Sequence, residues 1–394
     1  MKRKITVSSD FHTLSQRSMC YQTVIAIIST LFIYSCSFFG TAKDDHGSFN
    51  YTRSRNWTKM TAPVGMVRIR SGSFMSGAVD QDIVNKDQDN KRITVSEFFM
   101  HETEVTNVQY RKFLEMLTER AQNLPSQDLS TEPEEEPNPT GGVVEPEQEP
   151  DTDDTDSLNP LDARLYLEIK QNPDFISTLL PDPDVWRNDF TNSMADTYLE
   201  DYFDSPAFDD YPVVGVTWDN ANLYAEFQTL YLNEYRDKKG QPPYPSFVLP
   251  SAAQWEYAAR GGKELAKYPW GGPYVRDAHG HLRANFKSAS GNYSECGHSY
   301  TSPVKAFDPN DYGLYDMAGN VAEWTRSSKN QVAIRDTWDL DPVYMDDKEP
   351  MKIIKGGSWK DISRFLQTGS EDYEHKDKAR SFIGFRLVIP SIGQ

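Results

Sequence analysis

Three segments of the chain repeat apolar residues at helical spacing, and each opens at a hydroxyl residue able to cap a helix. After Thr106, the residues Tyr110, Phe113, Leu114 and Leu117 fall at i, i+3, i+4 and i+7, and Gln109 completes a capping box. Thr217 opens a second helix, with Leu223, Phe227, Leu230 and Tyr231 as its apolar face, running toward Gly240. Ser251 with Gln254 opens a third, "SAAQWEYAARGG", which Gly261-Gly262 ends. Four shorter pieces read as strands: 66–70, with Val67 and Ile69 against Arg68 and Arg70, then 92–100, 351–359 and 383–389. Long stretches rich in Gly, Pro, Asn and aromatic residues separate them. The pattern predicts one α+β domain with little regular secondary structure, and it contains no solenoid repeat.

The first residues change that picture at one end. Lys2, Arg3 and Lys4 precede the apolar run Val24–Tyr34, followed by Ser35 and Cys36, which reads as an export signal. A run of eleven residues is too short for a permanent membrane-spanning helix. "FIYSC" resembles a lipoprotein cleavage box, in which the cysteine becomes the lipid-modified first residue. The expected boundaries are a signal at 1–35, a flexible tether at 36–58 and a folded domain at 59–394. A disordered acidic insertion interrupts that domain at about 120–158: residues 126–156 hold twelve acids, five prolines and no basic residue.

The full chain carries a net charge of −18. Removing residues 1–35 takes away four basic residues and one acid and leaves −21. Such a surface repels nucleic acid and anionic headgroups, so membrane attachment has to come from lipid or from a partner. Past Cys20 and Cys36 only Cys296 remains, so no intramolecular disulfide can form in the exported chain.

Candidate chemistry centres on "GLYDMAGNVAEWTRSS", where Glu323 sits between Ala322 and Trp324, three residues after Gly319-Asn320. A carboxylate in such apolar company needs a cation, a metal or a cluster of N–H groups. Arg386 is one candidate partner, with Asn320 then serving as the left-handed residue of a turn. His279 and His281 are two apart but flank a glycine in "DAHGHLRAN", which reads as a solvated loop. The pairs Asp209-Asp210 and Asp346-Asp347 read as solvated turns. Trp324 and Trp359 read as core aromatics.

In order, "GMVRIRSGSFMSG", "HETEVTNVQYRKF", "YPVVGVTWDNANLYAEF", "LPSAAQWEYAARGG", "YPWGG", "DYGLYDMAGNVAEWT", "KGGSW" and "IGFR" resemble the formylglycine-generating, sulfatase-modifying family. The likeness runs from about residue 60 to the C-terminus, apart from the acidic insertion. It implies a formylglycine-generating-enzyme-like, C-type-lectin-like fold. It also implies a structural calcium bound through Asn320 and Glu323, as an alternative to the arginine pairing. A narrower likeness, in "DVWRNDF", "YFDSPAFDDYPVVGVTW" and "GGSWKDISRFLQTGSEDYEHKDKARSFIGFR", is to the K-type lipoproteins of the gliding-motility and type IX secretion apparatus.

Family members that oxidise a substrate cysteine are expected to hold copper through two thiolates, one just after "GFR" and one upstream. Here Leu387 follows Gly384-Phe385-Arg386, and "EDYEHKDKARS" has no cysteine. No helical H-x-x-x-H pattern supplies the iron site of a second branch. The chain is therefore expected to be non-catalytic, to need no cofactor beyond calcium, and to be lipid-anchored through Cys36 at the periplasmic face of the outer membrane. Its expected partners are copies of itself and an N-type subunit, with which it would build a ring. A metal-dependent oxidase and a lectin-like binding lipoprotein are the rival expectations.

Overall fold

The structure, a computed structural model, describes residues 60–77, 90–124, 158–189, 201–288, 295–330 and 337–391. The signal, the tether, Cys36 and nearly all of the acidic insertion lie outside these residues. Among those described, no helix is long and apolar enough to cross a membrane.

All three expected helices form at their expected caps. Helix α1 (Asn107–Gln122) follows Thr106, with the Thr106 N–H donating to Gln109 Oε1 at 3.0 Å, and buries Tyr110, Phe113, Leu114 and Leu117 as the spacing predicts. Three further helices follow: α2 (Pro160–Gln171), α3 (Phe175–Thr178) and α4 (Val185–Asp189). None was expected from the pattern. Asn159 caps α2 by accepting from the N–H groups of Leu161 and Asp162, and Pro160 fits the first helical position.

Helix α5 (Trp218–Lys238) starts at Thr217 but buries a different face from the one expected. Ala221, Tyr224, Ala225 and Phe227 face the core, while Leu223 and Leu230 are half-buried and Tyr231 is exposed. Small alanines lie against the core because Tyr224 stacks on Tyr110 at 5.4 Å and leaves no room for a longer side chain beside it. Helix α6 (Ala252–Ala259) is capped by Ser251 and Gln254 and is buried nearly all round.

The strands make three small sheets. One has the order β1 (Met66–Ile69), β4 (Phe98–His101), β9 (Val388–Pro390); the second pairs β2 (Gly72–Ser76) with β3 (Lys91–Val95). The third runs β7 (Asp372–His375), β6 (Met351–Lys355), β5 (Ala322–Ser328), β8 (Ile383–Gly384). Two expected strands are thus each divided between sheets. The segment 92–100 breaks at Ser96-Glu97, because Ser96 bonds the Asp341 carboxylate and Glu97 pairs with Arg68. The segment 383–389 breaks at Phe385-Arg386-Leu387, where the Arg386 side chain is committed elsewhere. "MKIIKGGSW" ends as a strand at Lys355, since Gly356 and Gly357 take positive φ.

The largest apolar cluster joins α1, α2, α5 and the central strands through Phe113, Phe227, Trp324, Phe385 and Leu387. A second joins α6 to the first two sheets around Trp255, Phe98 and Ile69. Trp324 and Trp359 are buried, as expected, and their indole N–H groups donate to Val216 O and Ser381 O.

A buried charged node around Glu323

The segment expected as a turn is a turn that runs straight into strand β5. Gly319 has φ +79° and Asn320 φ +63°, both left-handed. A Cβ on Gly319 would stand 2.2 Å from Asn285 O, so only glycine fits there. The turn brings Asn320 N–H to Asn285 O at 2.8 Å and delivers Glu323 into β5, opposite Lys355 on β6 and beside Gly384 on β8.

Glu323 is fully buried, and so is its partner Arg386. The guanidinium grips the carboxylate with two bonds, Nε to Oε2 and Nη2 to Oε1, each 2.7 Å. Trp255 Nε1 adds a third at 2.8 Å to Oε2. The remaining Arg386 donors reach His101 O and Glu102 O at 3.2 Å and Tyr315 O at 2.9 Å. All five guanidinium N–H groups are thereby used. One arginine ties the start of β5 to the ends of β1–β4 and to the loop before Gly319, and burial is tolerable because every charge is matched.

Two more acids surround the pair. Glu104, buried, accepts from Asn320 Nδ2 at 3.1 Å through Oε1. Asp316, held at φ +56°, accepts from Lys305 N–H at 2.8 Å. Burial first, and then Asp316's negative charge, push the Glu104 carboxyl well above the usual range. Burial likewise raises Asp316 to about 6, with Glu323 adding to the rise and Arg386 opposing it. His101 is held down at about 4 by burial and then by the Arg386 charge, so it stays neutral beside the guanidinium. Three carboxyls thus face one arginine, and burial together with their mutual repulsion shifts Glu104 and Asp316 toward the protonated form.

Both expected calcium ligands are engaged by protein groups. Asn320 Oδ1 accepts from Ser302 N–H at 2.9 Å and Ser302 Oγ at 3.2 Å, and Nδ2 is committed to Glu104. Both Glu323 oxygens are taken by Arg386 and Trp255. A hard cation needs several free oxygens, and a guanidinium within 2.7 Å repels it, so this donor set does not fit calcium. Of the two alternatives for Glu323, the geometry realises the arginine pair, with Asn320 in the left-handed conformation.

The other candidates separate. Asp277 accepts from the backbone N–H groups of His279 and His281, closing an exposed turn. Cys296 is a free, half-buried thiol whose Sγ donates to Asn285 Oδ1 at 3.1 Å. Leu387 is fully buried in the largest apolar cluster. Glu104 and Asp316 were not singled out in the sequence. Glu104 carries the same mark as Glu323, an acid beside an apolar residue just before a buried element, in "HETEVTN".

Residues 53–390 match the sulfatase-modifying factor enzyme 1-like domain. The formylglycine-generating enzyme of Mus musculus is 26% identical over 368 residues, covering 87% of this chain and 82% of that protein. The inactive C-alpha-formylglycine-generating enzyme 2 of Bos taurus is 33% identical over 189 residues, covering 45% of this chain and 50% of that one. In such shorter, more similar matches the chain spans about half the length of the relative or less. The solved structure of PvdO from Pseudomonas aeruginosa shares the fold, with a TM-score of 0.50 at 20% identity over 82% of this chain and 94% of that one. The relatives carry names of both active and inactive proteins, so membership fixes the fold and leaves the activity open. With a match across this node and nearly all of the described residues, the chain belongs to the sulfatase-modifying factor enzyme 1-like domain family.

Proposed function

We propose that the chain is a non-catalytic, lipid-anchored scaffold of the type IX secretion and gliding-motility apparatus, held by Cys36 at the periplasmic face of the outer membrane. The observation that carries the non-catalytic part is the sequence's cysteine inventory. Beyond the signal and Cys36 only Cys296 remains, and a single thiol cannot supply a bis-thiolate copper site. Leu387, at the position after "GFR", is part of the apolar core, which supports the same reading. The chain's order of motifs and its lipoprotein-like start support the scaffold.

Assembly then rests on geometry. A lipid holds each copy at one membrane surface, and head-to-tail contacts between copies close into a ring when the rotation permits. An N-type subunit with a basic face would complement a chain of net charge −21 after signal removal.

Native complex extracted from membranes with detergent tests this by size and composition. The expected result is a large assembly that contains this chain and a second subunit, with mass spectrometry finding diacylglycerol on Cys36 and Cys36→Ser releasing the chain from the membrane. A monomer with no co-purifying partner would overturn the scaffold. Conversion of a cysteine-containing sulfatase peptide by the copper-loaded protein would overturn its non-catalytic character.

A further inference from the structure

Thr61, near the start of the described residues, is held at the C-terminal end of α5. Tyr244 Oη donates to Thr61 O at 2.9 Å. Asn233 on α5 fixes Tyr244 in turn, with Nδ2 donating to Tyr244 O at 3.0 Å and Oδ1 accepting from Tyr244 N–H at 2.7 Å. The Arg236 guanidinium lies over the Tyr244 ring, 3.8 Å from its centroid, and its Nε donates to Pro242 O at 2.6 Å. A chain that arrives from Cys36 therefore joins the domain at this end. Cys36 and Met60 are 24 positions apart, a reach of at most about 80 Å.

The same end of α5 runs against the charge of the chain. Residues 236–239 set Arg236, Lys238 and Lys239 against one acid, Asp237. The nearby Glu234 is already shared, with Oε2 on Arg120 at 2.7 Å and Oε1 on Lys238 at 2.6 Å. The Lys238 side chain is 69% exposed, and Lys239 is exposed with its Nζ 5.5 Å from the centre of the Tyr235 ring. Tyr231 and Tyr235 stand one turn apart on α5 and are 45% and 55% exposed. Cations suit a helix C-terminus, but the helix dipole gives no reason for two tyrosines in solvent.

Tyrosine beside lysine and arginine is the composition that settles at a bilayer surface, with the rings at headgroup level and the cations on phosphate. We propose that the C-terminal end of α5, with Tyr231, Tyr235, Lys238 and Lys239, is the face that this chain lays against anionic phospholipid headgroups. The inference rests on the lipid anchor at Cys36 and adds an orientation to it. The anchor attaches the domain, the α5 end turns toward the bilayer, and the remaining acidic surface is repelled from it. The other end of this 21-residue helix, where Trp218 N–H donates to Lys376 O at 3.0 Å, lies about 30 Å away and stays in solvent.

The test couples residues 36–394, carrying Cys296→Ser, through the Cys36 thiol to a maleimide lipid, so that attachment does not depend on natural lipidation. The vesicles are phosphatidylethanolamine with phosphatidylglycerol, or phosphatidylcholine alone, and mass spectrometry follows the acetylation of each lysine. On phosphatidylglycerol vesicles Lys238 and Lys239 are expected to react about fivefold more slowly than in the uncoupled chain. Lys378, exposed near the far end of the helix, is expected to keep its rate, and high salt to remove the protection. Tyr235→Ser with Lys238→Gln is expected to return Lys239 to its solution rate at an unchanged melting temperature. Unchanged rates at Lys238 and Lys239, equal slowing on phosphatidylcholine, or equal slowing of Lys378 would each overturn the face. So would slowing in the uncoupled chain at high protein concentration, which assigns the surface to a second copy. The anchor itself is read separately, from diacylglycerol on Cys36 in native membranes.

Discussion

A single side chain, Arg386, holds together residues far apart in sequence, and its dependence on Glu323 sets the first expectation. Glu323→Gln leaves a buried guanidinium without its counter-charge, which should destabilise the protein by about 3–5 kcal/mol, read from urea unfolding. Arg386→Lys should not restore it, because an ammonium lacks the planar fork that serves both carboxylate oxygens and three backbone carbonyls. Asp316 gives a pH signature. Its folded value of about 6 lies above its ordinary 3.8, so its contribution is fully present below pH 3.8 and is lost as pH rises through 6. The loss amounts to about 3 kcal/mol, and Asp316→Asn should flatten stability between pH 4 and 7 by that order. A profile that keeps its slope in the variant would assign the titration elsewhere. Glu323 stood out in the sequence because an acid between alanine and tryptophan has to be partnered. Glu104 bears a similar mark beside Val105, but its contact to Asn320 spans 216 positions, so no local pattern names its partner.

At the level of elements, caps were the most readable feature, since a hydroxyl bonding to an N–H two or three residues ahead is local chemistry. Ser251 accepts from Gln254 N–H at 3.1 Å while Gln254 Oε1 accepts from Ser251 N–H at 3.0 Å. Ser251→Ala should therefore cost about 1–2 kcal/mol in thermal or chemical unfolding. Because α6 carries both Trp255 and Glu256, amide exchange should quicken at the start of α6 more than in α1. Equal loss of protection in both helices would mean that the cap is not a local feature. The buried face of α5 was less readable. Its alanines point inward because aromatic rings from α1 fill the space, and apolar spacing alone favours the larger leucines. Strand breaks at Ser96 and Arg386 were hidden for a related reason: each is set by a partner distant in the chain, Asp341 at 245 positions from Ser96 and Glu323 at 63 from Arg386.

For the whole molecule, the acidic stretch 126–156 divides the sequence without dividing the fold. Helices α1 and α2 on either side of it are joined by Arg120, which bonds Asp162 at 2.7 Å and also Glu234 on α5 at 2.7 Å. Loop-closure entropy grows only with the logarithm of length, so replacing residues 126–156 with eight Gly/Ser residues should change stability by no more than about 1–2 kcal/mol. Circular dichroism melting checks this, and a collapse of the transition would give the segment a structural role.

The sequence by itself determined the α+β class, the three capped helices, the acidic division and the need for a partner at Glu323. Each follows from chemistry between near neighbours or from composition. Only the tertiary structure decided that the partner is Arg386, that Glu104 and Asp316 crowd the same node, and that Lys355 is buried between Glu256 and Glu371. Those outcomes depend on which distant segments meet across the three sheets, and burial turns each meeting into an energetic constraint that local patterning does not encode.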